Sequence, residues 1–135
     1  MNARRSAATV LATVAVLSAS APAYASGGAD DGGAHGGGSA VRASHACYGG
    51  LIKLKAKHDD GRIEVEAEVD TNRNGQTWTV QLRDNSVNVF KGKRTTHAPS
   101  GSFSLERRIA NRAGKDTITV RATRGSRACA TKVTV

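Results

Sequence analysis

Residues 70–75, Asp-Thr-Asn-Arg-Asn-Gly, match the opening of a calcium loop of the form D-x-[DN]-x-[DN]-G. Such a loop works by surrounding Ca²⁺ with about six to eight oxygens, which calls for carboxylates at the front and a bidentate acid at its twelfth position. Here the twelfth residue is Gln81, Asp70 is the sole front carboxylate, and Arg73 adds a cation inside the loop. The site would be close to neutral. The expectation is therefore a turn, in which Asn and Gly supply left-handed backbone conformations. Asp30, Asp31 and His35 are three further metal-ligand types, but they lie on a glycine-rich stretch too loose to hold an ion well. No metal and no other cofactor is expected.

Catalytic constellations are equally hard to assemble. His35, His45, His58 and His97 are scattered over a tail, a lead and two turns. Glu64, Glu66 and Glu68 alternate at strand spacing and find lysines to match. Ser100 and Ser102 sit in Ala-Pro-Ser-Gly-Ser-Phe, which lacks the G-x-S-x-G pattern of a nucleophile elbow. His45 stands two residues from Cys47, yet nothing else supports an activated thiol. The expectation is a protein that is not an enzyme. Nucleic-acid and carbohydrate modules are disfavoured too, because both use exposed aromatic platforms. Beyond residue 25 the chain has only Tyr48, Trp78, Phe90 and Phe103.

Charge is the strongest hint. From Cys47 to Phe90 there are six Lys and Arg against seven Asp and Glu, whereas from Lys91 to Val135 there are eleven against two. The second half is thus a strongly cationic segment, suited to polyanions. Arg83, Arg121 and Lys132 fall at positions that share one strand face with Thr79, Gln81, Thr117 and Thr119. Arg112, Lys115, Arg124 and Arg127 lie in neighbouring turns. These seven cations are the candidate anion-binding set. The plain alternative is a solvated basic surface.

The elements that position these residues begin after a leader. Arg4 and Arg5 precede an apolar run from about Ala7 to Leu17, and small residues then end in Ala23-Tyr24-Ala25. That is the pattern of a secretory signal peptide over 1–25, with Ser26 as the first mature residue. The apolar run is well short of the roughly 20 residues needed to span a bilayer. Ser6-Ala7-Ala8 after the arginine pair lacks the bulky residues of twin-arginine export, so the general secretory route is expected. No cysteine near the cleavage site suggests lipidation, and no later apolar segment suggests a membrane anchor. The expected product is secreted, carries 18 Lys and Arg against 11 Asp and Glu, and has a net charge of +7.

Residues 26–46, with glycine clusters and little to bury, read as a flexible leader. From Cys47 onward, short alternating apolar runs cut by turn residues indicate an all-β domain over 47–135. In Ile52–Val69 the residues Ile52, Leu54 and Ala56 alternate with Lys53, Lys55 and Lys57, and Ile63, Val65, Ala67 and Val69 alternate with Glu64, Glu66 and Glu68. With Asp60-Gly61 as a two-residue type I′ turn, Lys57 falls opposite Glu64, Lys55 opposite Glu66 and Lys53 opposite Glu68. Ile52 then meets Val69 and Leu54 meets Ala67, so charge and core agree on one register. Five more strands follow at Thr77–Arg83, Val87–Lys93, Ser102–Ala110, Thr117–Thr123 and Ala128–Val135. Arg107 is out of place, since parity with Phe103, Leu105 and Ile109 points it inward; a bulge or strand end would let its head reach water, and a buried ion pair or a binding role is the alternative.

Seven strands at this spacing, with a lone Trp78 on the third, describe an antiparallel sandwich of immunoglobulin-like type; a barrel is the alternative. In an oxidising exterior Cys47 and Cys129 are expected to pair. Seven alternating strands put the start of the first and of the last at one end, where a single disulfide would join the N-terminal lead to the final strand. The segment Gly101–Val135, with its G-x-F strand, glycine-containing turn and T-x-T-V strand, resembles the closing strands of bacterial Ig-like domains. Cys47–Val135 behind its glycine-rich leader is similar to small secreted proteins of actinobacteria. The resemblance implies a fold and an extracellular setting, and carries over no catalytic residue.

The expectation is a secreted, monomeric, non-catalytic binding or structural module engaging an anionic extracellular or cell-wall polymer, or an acidic protein, through its basic face. The runner-up is a small inhibitor or accessory factor that touches a protein through the loop at residues 95–101.

Overall fold

The computed structural model describes residues 38–135. The expected signal peptide, most of the expected leader, and the Asp30, Asp31 and His35 group lie outside the described residues. The described residues form eight strands: β1 (Val41–Cys47), β2 (Gly50–Asp59), β3 (Arg62–Asp70), β4 (Thr77–Asp84), β5 (Val87–Thr95), β6 (Ser102–Ala110), β7 (Thr117–Arg124) and β8 (Arg127–Thr134). They form two four-stranded antiparallel sheets, in the orders β1-β2-β3-β6 and β5-β4-β7-β8. The fold is a two-sheet sandwich, as the alternation of apolar residues requires: each strand has one greasy row, and two such faces bury each other.

The buried rows are Ile52, Leu54 and Ala56; Ile63, Val65, Ala67 and Val69; and Phe103, Leu105 and Ile109 on the first sheet. Against them lie Trp78, Val80 and Leu82; Ile118, Val120 and Ala122; and Cys129 and Val133 on the second. Trp78 is the largest fully buried side chain. The β2–β3 register is the expected one, with Lys57 opposite Glu64, Lys55 opposite Glu66, Lys53 opposite Glu68, Ile52 opposite Val69 and Leu54 opposite Ala67. Asp60 and Gly61 both have positive φ, 47° and 70°, as a type I′ turn demands.

Two features depart from the expected seven strands. Residues 41–46, assigned to the flexible leader, join Cys47 in the additional strand β1 on the free edge of β2. Its sequence Val-Arg-Ala-Ser-His-Ala-Cys buries only Cys47, with Ala43 packed partly against the core. Hydrophobic patterning is therefore nearly silent there, and backbone pairing to β2 and the cysteine hold the strand. In β5 the register shifts between Leu82 and Arg83 of β4: Phe90 pairs with Leu82 and Asn88 with Arg83, leaving Val89 as the extra residue. This bulge brings Phe90 onto the core-facing row, although counting by twos from Val87 puts it out of step. Val87, expected inward, is 47% exposed near the strand's start.

Cys47 and Cys129 are disulfide-bonded, with Cα atoms 5.4 Å apart across 82 residues of sequence. β1 and β8 are edge strands of opposite sheets, so the bond staples one seam of the sandwich shut. In the chain-entropy picture a loop of this length contributes up to about 4.5 kcal/mol.

Candidate anion-binding face

Strand alternation sends every second residue of β4, β5, β7 and β8 away from the core. The registers place Lys91 of β5, Gln81 of β4, Arg121 of β7 and Ala130 of β8 in one row across the sheet. The next row toward the Asp84 end holds Asn88, Arg83, Thr119 and Lys132, and the next on the other side holds Lys93, Thr79, Thr123 and Ala128. Neighbouring strands are about 4.8 Å apart and alternate residues along a strand about 6.7 Å apart. The five cations Arg83, Lys91, Lys93, Arg121 and Lys132 thus form a staggered lattice with steps of about 7–10 Å. All five are exposed.

The remaining side chains of this face are Thr77, Thr79, Thr95, Thr117, Thr119, Thr123, Thr134, Gln81, Asn88 and two alanines; no carboxylate stands among them. Among the described residues none of the five cations forms an ion pair. Thr79, Gln81, Lys91, Arg121 and Thr123 line a shallow depression of about 240 Å³ in the middle of the face. Its floor offers hydroxyl and amide groups, and its walls two cations of different donor geometry.

The opposite sheet is electrostatically closed. Lys53–Glu68, Lys55–Glu66 and Lys57–Glu64 pair at 3.1, 2.7 and 3.2 Å. A larger depression of about 500 Å³ lies there, lined by Arg42, Ser44 and two of these pairs. Size favours that depression and charge favours the smaller one; for an anionic ligand charge decides, since the larger hollow is walled by lysines already neutralised by glutamates.

The seven sequence-derived candidates divide. Arg83, Arg121 and Lys132 share the outer face as expected. Arg112 does not: its Nε donates to Asp84 Oδ2 at 2.8 Å, and its backbone N–H donates to Asp116 Oδ2 at 3.1 Å. Asp84 and Asp116 are both buried, and Arg112 is the structural counter-ion of the loop between β6 and β7. Burial pushes the Asp84 carboxyl above its ordinary value, with the Asp116 carboxylate adding to the rise and the Arg112 hydrogen bond opposing it. Lys115 lies in the same end loop, where its carbonyl accepts from Asn85 Nδ2. Arg124 and Arg127 face each other across the Gly125-Ser126 turn at the other end, on the core-facing row. Arg127 lies over the Tyr48 ring, 5.2 Å from its centroid.

Lys91 and Lys93 are the members that sequence reasoning missed. The signal was present, since both alternate with Gly92 in β5, but the bulge at Val89 hid which row they belong to. Residues 70–75 form a turn: Asp70 Oδ1 accepts from the Asn72 backbone N–H at 2.9 Å, and Asn72 and Gly75 have positive φ. Thr71 and Thr96 tie this turn to the loop at residues 95–101 through Thr71 N–H to Gly101 O and Thr96 Oγ1 to Arg73 O. Arg107 is exposed, as expected, although the β3–β6 register runs past it without a bulge, and it lies over the Phe90 ring. The chain matches no protein-family model, and comparison with curated proteins and with solved structures finds none similar to it.

Proposed function

We propose that this chain is an exported, monomeric, non-catalytic module of immunoglobulin-like type. Its outer face of Arg83, Lys91, Lys93, Arg121 and Lys132 engages an anionic extracellular polymer such as a wall teichoic acid. The observation that carries the reading is a face of five cations that, among the described residues, has no ion pair and no carboxylate, on a molecule whose opposite face pairs its charges across β2 and β3. Side chains used only for solubility gain from interspersed opposite charge, whereas a single-sign lattice concentrates polyanions. An extended phosphodiester chain has charges at comparable intervals and meets several cations at once.

The disulfide agrees with an oxidising exterior, and the leader pattern at 1–25 with export. The two-sheet antiparallel strand order is compatible with the immunoglobulin-like reading. Counting from β2 to β8, the first, second and fifth strands share a sheet with β1, and the third, fourth, sixth and seventh form the other. Constant-type immunoglobulin sandwiches differ by placing the fourth strand with the first sheet.

Retention of the secreted form on heparin or purified cell wall at low salt, lost at modest salt and reduced in Arg121→Glu/Lys132→Glu, is the expected result. No retention at low salt removes the reading. A second reading, a protein contact through Thr95–Gly101, is favoured by the anchoring of that loop to the 71–76 turn, which presents exposed His97 to Ser100 on a rigid base. Inhibition in a protease panel would favour it over the polymer.

A further inference from the structure

The two seams of the sandwich are closed in different ways. On one side the disulfide joins β1 to β8; on the other, between edge strands β5 and β6, the closure is one aromatic ring and two arginines. Phe90 stands on the core-facing row of β5 opposite Leu82. Gly92, two residues on, has no side chain in the ring's way: a Cβ there would come within 2.9 Å of Phe90 Cζ. Arg94 reaches the ring from β5, its guanidinium carbon 4.9 Å from the centroid, and Arg107 reaches it from β6 at 4.5 Å. The two guanidinium carbons are therefore no more than 9.4 Å apart.

Neither arginine is matched by a carboxylate among the described ion pairs. Arg94 Nη1 donates to the carbonyl of Lys93 at 2.8 Å and Arg107 Nη1 to that of Glu106 at 3.0 Å. A guanidinium has five N–H donors in a planar fork, so most remain unspent on each. The Phe90 quadrupole attracts both cations, and among the described residues no carboxylate pairs with either of them.

We propose that Arg94 and Arg107 form an oxyanion clamp on the Phe90 ring, a site for a phosphate group separate from the face of β4, β5, β7 and β8. A phosphate accepts N–H bonds from both guanidiniums on different oxygens, and the planar forks give these bonds a direction that a lysine pair does not reproduce. Its charge offsets the two guanidinium charges while the ring holds them in place. This assignment does not rest on polymer binding by the outer face, and the two can fail separately.

The test is a titration of the secreted protein with inorganic phosphate and, in a second arm, with linear polyphosphate, following the arginine Nε–H resonances by nuclear magnetic resonance. Saturable shifts of the Arg94 and Arg107 signals are expected, in both arms for a free-ion site and in the polyphosphate arm alone for a polymer-borne group. The apparent Kd should rise at least fivefold in Arg107→Gln and also in Arg107→Lys, while Lys91→Gln/Arg121→Gln leaves these shifts intact. Unmoved Arg94 and Arg107 signals in both arms would overturn the assignment, as would wild-type affinity in both Arg107 variants. Loss of the shifts only in Lys91→Gln/Arg121→Gln would also overturn it, while leaving the outer-face reading standing. Far-ultraviolet spectra and melting curves confirm that each exposed-site variant is folded.

Discussion

Binding of a polyanion by the outer face makes a quantitative prediction about salt. A cation that neutralises a phosphate releases a condensed counter-ion, so log K falls linearly with log of the salt concentration, with a slope of about −0.7 per contact for a single flexible strand. Five free cations occupy the face, so the slope should approach about −3.5 if all engage. Between about 50 and about 200 mM salt the affinity then drops by roughly 100-fold. Removing two contacts in Arg121→Gln/Lys132→Gln should flatten the slope to about −2 and reduce the loss to roughly 20-fold. The control is Lys53→Gln/Lys55→Gln on the opposite sheet, where each lysine is already paired with a glutamate; it should leave the slope near its wild-type value. Equilibrium binding of fluorescent polyphosphate, measured by anisotropy across a salt series, gives all three slopes. A wild-type slope shallower than about −1, or a control that flattens it as much as the face variant does, would refute the reasoning.

Further outcomes follow from the same structure. Replacing both cysteines, Cys47→Ala/Cys129→Ala, should lower stability by up to about 4.5 kcal/mol in urea unfolding, with β1 amides losing hydrogen-exchange protection first because Cys47 is the strand's only buried residue; a change below about 1 kcal/mol would contradict the staple. Because the folded-state carboxyl of Asp84 titrates above its ordinary value, the unfolded chain releases that proton first, and stability falls as pH rises from about the ordinary aspartate range through the raised value. Asp84→Asn should abolish that part of the pH dependence and stabilise the fold at neutral pH, where its amide donates toward Asp116; thermal melts from acid to neutral pH that run parallel for both proteins would oppose this. Gly101 has φ of 71°, is buried, and would drive a Cβ into the backbone of Asn72 and Arg73. Gly101→Ala should therefore cost on the order of 2–4 kcal/mol by denaturant titration, against a smaller loss of about 1 kcal/mol in Gly114→Ala, which carries the backbone strain of its positive φ but meets no atom within 4 Å.

Local periodicity made much of the sandwich legible. The β2–β3 hairpin could be aligned residue by residue because the Lys and Glu rows, the apolar rows and the Asp60-Gly61 turn each require the same register, and a slip of one would turn all of them to the wrong face. The inward rows of Trp78, Val80 and Leu82 and of Ile118, Val120 and Ala122 follow from the same alternation. So does the shared outer face of Arg83, Arg121 and Lys132. The cysteine pairing is expected because two cysteines in an exported chain pair by default, and the alternating strand directions agree with it.

Other features depend on contacts between residues distant in sequence, which no local pattern encodes. β1 is a strand because β2 has a free edge and Cys129 waits across the seam, not because Val41–Cys47 has a strand's alternation. Arg112 leaves the candidate face because Asp84, 28 residues earlier, is buried beside it and needs a counter-ion. Lys91 and Lys93 join the face because a bulge at Val89 resets the parity of β5. Arg107 lies over Phe90 because β6 and β5 are edge strands that meet at one seam of the two sheets. Alternation along one strand is a property of the backbone pleat and can be read in isolation; the neighbour across a seam, and the charge a buried group demands, exist only once the two sheets have met.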